Sequence, residues 1–278
     1  MIGTILSVSI PWKGIGSEVQ ITMLDVGQGD GLYLRGPEGN HYFIDGGSSD
    51  VKEIGRYRIE PFLKSQGVGC LDYVFISHGD ADHMNGIQEM LKRQKLGIRI
   101  RNLVLPVQEV WDETLYELVE IALEQGTKVF TMKETQNIWE DELCITCLQP
   151  GSKSSLEAGN GASMVLQVKY GEFEMLFTGD VEGEGEETLM EQQKLTRVDV
   201  LKVAHHGSKH STTEELIRKL RPKYALISAG RENSYGHPHM ETIERLKKYG
   251  VQLYRTQESG AITVMTDGRE MWIEEYIK

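Results

Sequence analysis

The sequence predicts an α/β protein of four layers, an αββα sandwich. Strand-like runs gather in two β-rich halves, and helical patterns fall between and after them. That order suits two packed sheets with helices outside better than a doubly wound parallel sheet. A further observation concerns chemistry: seven of the eight histidines, all but His41, fall into three tight clusters at strand ends or in loops.

Taken in order, residues 1–17 read as a leader or linker. Their apolar run Ile5–Ile10 is too short for a signal peptide and lacks a basic flank, and a segment cut from a longer chain would look the same. Residues 18–278 contain no linker long enough to separate domains and read as one compact domain. Val19–Leu24, Gly31–Leu34 and His41–Ile44 are β-rich pieces punctuated by Gly27-Gln28-Gly29-Asp30, Gly36-Pro37-Glu38-Gly39 and Asp45-Gly46-Gly47, a meander with turn chemistry between strands. Pro61-Phe62-Leu63 suggests a helix ending near Gly67, and Leu71–Ser77 a strand buried on both faces that delivers His78. Ile87, Met90 and Leu91, then Leu115, Leu118, Val119 and Ala122, lie at helical spacing around a strand at Asn102–Pro106. Strands follow at Lys128–Met132, Leu143–Leu148, Ser163–Lys169, Glu174–Phe177 and Val198–Val203. Helices at Glu214–Leu220 and Met240–Tyr249 precede strands at Gln252–Arg255, Ala261–Met265 and Met271–Glu275.

Composition narrows the function. The 278 residues are 39% hydrophobic and 26% charged, a globular profile with no run of the length that a membrane-spanning helix needs. The net charge of −12 repels nucleic acid and anionic membranes as a whole, so a phosphate-bearing substrate needs a local patch or a metal. Cys144-x-x-Cys147 lies in a β-rich run without a second pair, which argues against a zinc ribbon and for ordinary packing.

The first histidine cluster is His78-Gly79-Asp80-Ala81-Asp82-His83, between a strand and a helix. Two imidazoles and two carboxylates within six residues suit a borderline divalent ion such as zinc or manganese. His78 and Asp80 can face one ion, with Asp82 and His83 facing a second. A plain turn accounts for Asp82 as a helix cap and leaves the others unexplained. In Thr178-Gly179-Asp180 the aspartate ends an apolar strand, which is often only a turn, but beside the first cluster its two oxygens can bridge two cations. In Lys202-Val203-Ala204-His205-His206-Gly207-Ser208, adjacent histidines point to different sides, one expected at a metal and one at substrate. Ser208, His210, Ser211 and Thr212 are donors for phosphate or caps for the helix near Thr213, the cap reading favouring Ser211 or Thr212. In Gly236-His237-Pro238-His239, general acid, phosphate contact and plain loop histidine are all open.

Together these residues resemble the metallo-β-lactamase superfamily and, within it, the nuclease-like domain of the ComEC competence proteins, from about Gln20 to about Met265. Leu24–Asp30 is similar to that family's opening strand and turn, and Ile44-Asp45-Gly46-Gly47 to its first motif, with Asp45 in a structural role. His78-x-Asp80-x-Asp82-His83 is similar to the metal motif, Asp180 to the bridging aspartate, and the later histidine loops to the remaining motifs. The resemblance implies an αββα sandwich with one or two divalent ions, zinc or manganese, between the sheet edges. It assigns metal contacts to His78, Asp80, Asp82, His83, Asp180 and His206, leaving His205 to face substrate. Two departures matter: Asp80 replaces a histidine common in the superfamily, and Asn160–Ser163 holds none where another is expected. Both make the site richer in oxygen and favour manganese or weak occupancy of a second position.

The expected function is metal-dependent phosphodiester hydrolysis, in DNA first, with His205 or His237 assisting the leaving oxygen and Ser208 and His210 contacting substrate. Local charge is compatible: Lys92, Arg93, Lys95, Arg99 and Arg101 form one basic run, and Lys202, Lys209, Lys219, Arg221, Lys223 and Arg231 a second group. A solvated face balancing the acidic stretch Glu182–Glu191 accounts for each equally well. A small phosphodiester is the alternative, such as a phosphocholine or nucleotide derivative against Trp12, Trp111 or Tyr235. A second alternative is a non-catalytic nucleic-acid-binding module with a degenerate metal site. A free-standing chain is expected to be soluble and cytoplasmic; a domain of a larger ComEC-like protein is expected beside its membrane channel.

Overall fold

The computed structural model describes residues 18–151 and 156–277. The expected leader and Trp12 lie outside the described residues. Fifteen strands form two sheets among the described residues. The first sheet contains β1 (Val19–Met23), β2 (Leu32–Arg35), β3 (His41–Ile44), β4 (Cys70–Phe75), β5 (Arg99–Leu105) and β6 (Lys128–Thr131). The second contains β7 (Asn137–Glu140), β8 (Leu143–Gln149), β9 (Val165–Tyr170), β10 (Phe173–Phe177), β11 (Val200–Lys202), β12 (Tyr224–Ile227) and β13 (Gln252–Arg255). The chain then returns to the first sheet through β14 (Ile262–Thr266) and β15 (Met271–Glu275). The strand orders are β15-β14-β1-β2-β3-β4-β5-β6 and β13-β12-β11-β10-β9-β8-β7.

Period-2 alternation sorts the side chains between layers. On β1, Val19, Ile21 and Met23 enter the core between the sheets, where they meet Ile145, Leu166, Met175 and Leu226. On β2 and β3, Leu32, Leu34, Tyr42 and Ile44 face that same core, while Tyr33 and Phe43 face outward. Helices cover that outer face: α1 (Glu60–Ser65), α2 (Ala81–Arg93) and α3 (Glu113–Glu124) contribute Leu63, Ile87, Leu91 and Leu118. The second sheet is covered by α4 (Glu184–Glu191), α5 (Glu214–Leu220) and α6 (Met240–Lys248), through Leu189, Leu216 and Leu246. A short α7 (Thr256–Ser259) follows β13. The αββα sandwich is therefore the observed fold. No helix among the described residues is long and apolar enough to cross a membrane.

Four local expectations change. β4 is only partly enclosed: Asp72 and Tyr73 are half-buried, because Asp72 accepts from the His41 N–H at 2.9 Å near the open end of the sheet. Thr213, rather than Ser211 or Thr212, caps α5, its hydroxyl accepting from the Leu216 N–H at 3.3 Å. Asp80 holds the cap position of α2 and Asp82 lies in its first turn. The acidic stretch Glu182–Glu191 is more than a solvated face. Glu186 is buried, and its carboxylate accepts from the N–H groups of Thr212 at 2.6 Å and Thr213 at 2.8 Å.

β3 to β6 run parallel, as do β10 to β13, and both blocks end at the same edge of the sandwich. Carboxyl ends of parallel strands are where open sheets leave a crevice. Here they carry Asp45 after β3, His78 after β4, Asp180 after β10 and His205-His206 after β11. Leu166 is 1% exposed between the sheets. Leu166→Ala is expected to cost about 3 kcal/mol, read as a lowered urea midpoint at unchanged m-value.

Candidate metal centre

The site is assembled around Asp45, whose backbone turns left-handed at φ 57° immediately after β3. Its carboxylate accepts from the Ser77 N–H at 2.7 Å and the Ser77 hydroxyl at 2.9 Å, and lies 3.0 Å from His83 Nδ1. The Ser77 oxygen, having donated to Asp45, is free to accept from His78 Nδ1 at 3.0 Å. On the other sheet the Ser228 carbonyl lies 3.0 Å from His206 Nδ1, and a carbonyl can only accept. All three Nδ1 atoms are thus tied outward, which turns three Nε2 atoms inward.

Those inward atoms are the telling ones. Nε2 of His78, His83 and His206, with Asp180 Oδ1, are buried and make no hydrogen bond, although His83 Nε2 stands 3.1 Å from Asp180 Oδ1. Buried polar atoms without partners are rare in native proteins, and a bound cation would satisfy this set. Ligand atoms of His78, His83 and Asp180 lie within 4.8 Å of one another, and so do those of Asp82, His83 and His206. The donor set, imidazole nitrogen and carboxylate oxygen with outer partners holding each ring, fits a divalent ion such as zinc or manganese. These residues could hold one ion or two. Asp80 lies outside these groups, with an exposed carboxylate 3.5 Å from His78 Nε2.

The electrostatics agree. Burial alone would raise the Asp180 pKa, but the facing His83 and His206 hold it well below the ordinary carboxylate range. Asp82 is likewise lowered to about 2, burial being outweighed by His206 and His83. Burial opposes the charge of His83, yet Asp180 and Asp45 hold its pKa well above the usual value.

Next to these candidate ligands stand two histidines of different character. His205 Nδ1 lies 2.8 Å from Glu182 Oε2, and its Nε2 lies 3.8 Å from Asp180 Oδ2. Burial works against its protonation, but the Glu182 carboxylate raises its pKa. His237 is pushed down to about 4 by burial and then by His206, His205 and His239. The Gln28 amide nitrogen lies 3.4 Å from His237 Nδ1, and its carbonyl accepts from the Gly230 N–H at 3.2 Å, which fixes the amide's orientation. Gln28 therefore donates, and the neutral His237 ring carries its hydrogen on Nε2.

Both His205 and His206 adopt left-handed backbone, φ 48° and 53°, a conformation that costs a side-chain-bearing residue energy and has to be held by its surroundings. The holding groups are outside the centre: Arg245 donates to the Ser211 and Thr212 carbonyls at 2.8 and 2.7 Å, and the His239 N–H to the Gly207 carbonyl at 3.0 Å. Ser208 is buried, its hydroxyl accepting from the His210 N–H at 3.3 Å, and His210 is exposed beside it.

Residues 24–231 match the family model described as the metallo-β-lactamase superfamily. The chain belongs to the metallo-β-lactamase superfamily. It is 32% identical to "ComE operon protein 3" of Bacillus subtilis, over 93% of this chain and 34% of the relative. It is also 32% identical to "Recombination protein 2" of Haemophilus influenzae, over 88% and 28%. The chain therefore spans about a third of the length of these curated relatives. It is 30% identical to "Competence protein ComA" of Neisseria gonorrhoeae, over 88% and 32%, and together these relatives bear out the resemblance to ComEC competence proteins. Among solved structures, the metallo-β-lactamase fold protein YhfI of Bacillus subtilis superposes with TM-score 0.57 at 13% identity, over 92% of this chain and 100% of that one, which establishes the fold. Members of this superfamily are generally hydrolases, on a fold that binds divalent metals, and the candidate ligand groups of this chain suit that chemistry.

Against the usual superfamily pattern, the stretch without its histidine is filled by Ser163. Its buried hydroxyl accepts from the Asp180 N–H at 3.2 Å and lies 3.3 Å from His78 Nδ1, so it orients two metal-site residues rather than adding a ligand. Three other members escaped the sequence reading in this role: Asp30, Lys202 and Glu182. Lys202 is 1% exposed and ion-paired with Asp30, and it donates to the Gly179 carbonyl at 3.1 Å, so it cannot serve as a surface phosphate contact. Asp30 Oδ1 lies 3.6 Å from His206 Nδ1 and its Oδ2 lies 3.7 Å from His83 Nδ1. The glycine-aspartate turn was the signal for Asp30; an ordinary strand lysine gives none. The basic run from Lys92 to Arg101 is displaced too. Arg99 begins β5 beside Cys70, at the opposite end of the parallel block from His78. Lys223 sits at the start of β12 and pairs with Asp199 at 2.9 Å, leaving Lys209 and Arg231 as the members of their group on the histidine loops.

Two measurements check this geometry. Asp45→Asn is expected to weaken manganese or zinc binding by roughly ten- to a hundredfold in calorimetry, because it releases His83 and Ser77 together. Glu182→Gln removes the anion that raises the His205 pKa, so the His205 ring titration in metal-free protein, followed by NMR, is expected to move to lower pH.

Proposed function

We propose that the protein is a metal-dependent phosphodiesterase acting on DNA. The observation that carries this reading is the set of buried, unbonded Nε2 atoms of His78, His83 and His206 facing Asp180, with donor-bearing loops beside it. A divalent ion bound there would supply charge to a phosphoryl oxygen and an activated water at neutral pH. His78, Asp82, His83, Asp180 and His206 hold one or two ions, manganese or zinc, with Asp80 at the exposed side of His78. His205, braced by Glu182, gives a proton to the leaving oxygen, and neutral His237 donates from Nε2 to a phosphate oxygen. His210 meets the substrate at the rim, and Ser208 shapes the turn that presents it.

DNA is favoured over other phosphodiesters by the names of the relatives, one tied to recombination, and by Lys209 and Arg231, which offset the net charge of −12 locally. Because the relatives are about three times as long, we include a membrane channel joined to or bound by this domain among its partners.

The test incubates metal-free protein with single-stranded DNA, duplex DNA and bis-p-nitrophenyl phosphate, adding manganese or zinc in turn, beside an Asp82→Ala/Asp180→Ala variant checked for folding by circular dichroism. Cleavage of DNA that requires metal and falls by at least about a hundredfold in the variant is the expected result. Cleavage of the small ester alone would move the substrate to a small phosphodiester. No cleavage under either metal would leave a nucleic-acid-binding module as the function.

A further inference from the structure

Tyr235 stands at the mouth of the metal centre and has no part in the chemistry above. Its side chain is 56% exposed, and its ring stacks on that of His237 with centroids 5.7 Å apart and planes 20° apart. His237 in turn lies 5.3 Å from the His205 ring and 6.1 Å from that of His206. One face of Tyr235 is thus backed by a ring that reaches the site, and most of the rest meets solvent. The loop beneath is held in advance. The Asn233 side chain donates to the carbonyls of Gly230 at 2.8 Å and His237 at 2.6 Å, and accepts from the His237 N–H at 2.9 Å. Ordering an aromatic on such a loop costs little further entropy when a ligand arrives.

We infer that Tyr235 is a stacking platform for an unpaired nucleobase, which directs the site toward single-stranded rather than duplex DNA. The inference rests on the phosphodiesterase reading and names the strand that this site takes. A base inside a duplex has both faces covered by its neighbours, whereas an unstacked base offers a face to an aromatic side chain. Lys209 and Arg231 lie on the same loops and are exposed, as a phosphate backbone beside a stacked base requires. The same two cations repel a cationic group such as choline, the other natural occupant of an aromatic wall. Trp111 does not compete for the role: it is half-buried, packed edge-on to Tyr116, with its indole N–H donating to the Pro106 carbonyl at 2.9 Å.

The experiment crosses a protein change with a ligand change. Manganese-loaded wild type, Tyr235→Ala and Tyr235→Phe are compared on a labelled single-stranded oligonucleotide, the same strand with abasic positions, and its duplex. Stopped-flow anisotropy reads binding before turnover, and steady-state cleavage follows. Tyr235→Ala is expected to weaken single-strand binding roughly tenfold and to raise KM with little change in kcat, and Tyr235→Phe to restore both. The abasic strand and the duplex are expected to bind wild type and Tyr235→Ala alike. Equal binding of the normal strand by both proteins, or no binding by wild type, overturns the inference. So does a loss seen only with p-nitrophenylphosphorylcholine, run in parallel. Cleavage of DNA without dependence on Tyr235 removes the platform and leaves the hydrolase; Tyr235-dependent binding without cleavage removes the hydrolase and leaves the platform.

Discussion

Burying carboxylates where two sheets meet is the constraint on which the rest of this structure depends. Asp30, Asp45 and Asp180 are each at most 2% exposed, and a buried anion without partners costs several kcal/mol. The chain answers with Lys202 against Asp30, Ser77 and His83 against Asp45, and His83 and His206 around Asp180. These partners account for much of the charge and leave the Nε2 atoms of His78, His83 and His206 and the Oδ1 atoms of Asp30 and Asp180 unbonded. A divalent cation would complete the balance, and folding and metal binding would then draw on the same interactions.

The sandwich makes that arrangement reachable. Two parallel blocks, one in each sheet, end on one edge, so residues far apart in the chain arrive as neighbouring strand tips. The strand tips set positions, and residues without any metal contact set directions. Glu186 and Arg245 clamp the turn that follows the strained His205-His206 pair, Asn233 clamps the loop of His237, and Ser163 spans His78 and Asp180. A side chain can occupy an unfavourable backbone region only where its surroundings over-determine it, and these clamps supply that determination.

Much of the centre was legible because its motifs are local. His78, Asp82 and His83 fall within six residues, Asp180 follows a glycine after an apolar strand, and each motif sits where strand periodicity stops. What escaped is pairwise and distant. Lys202 meets Asp30 across 172 positions, and a lysine in a strand reads as solvated until its partner is known. The acidic stretch from Glu182 to Glu191 read as surface because its charge density masks two inward tasks, Glu182 on His205 and Glu186 on the loop before α5. The basic run ending at Arg101 failed for the converse reason, since charge in sequence says nothing about which end of a parallel strand it occupies.

The sequence by itself determined the layers, most of the strands and the chemical kind of the site. Apolar periodicity and turn residues are short-range consequences of backbone sterics and of the hydrophobic face each element has to bury. Only the tertiary structure decided the ring orientations of His78, His83 and His206 and the separate characters of His205 and His237. It also decided the burial of Lys202 and the stacking of Tyr235 at the rim. Each of these is set by a partner at a few ångströms, and such distances exist only once both sheets are in place.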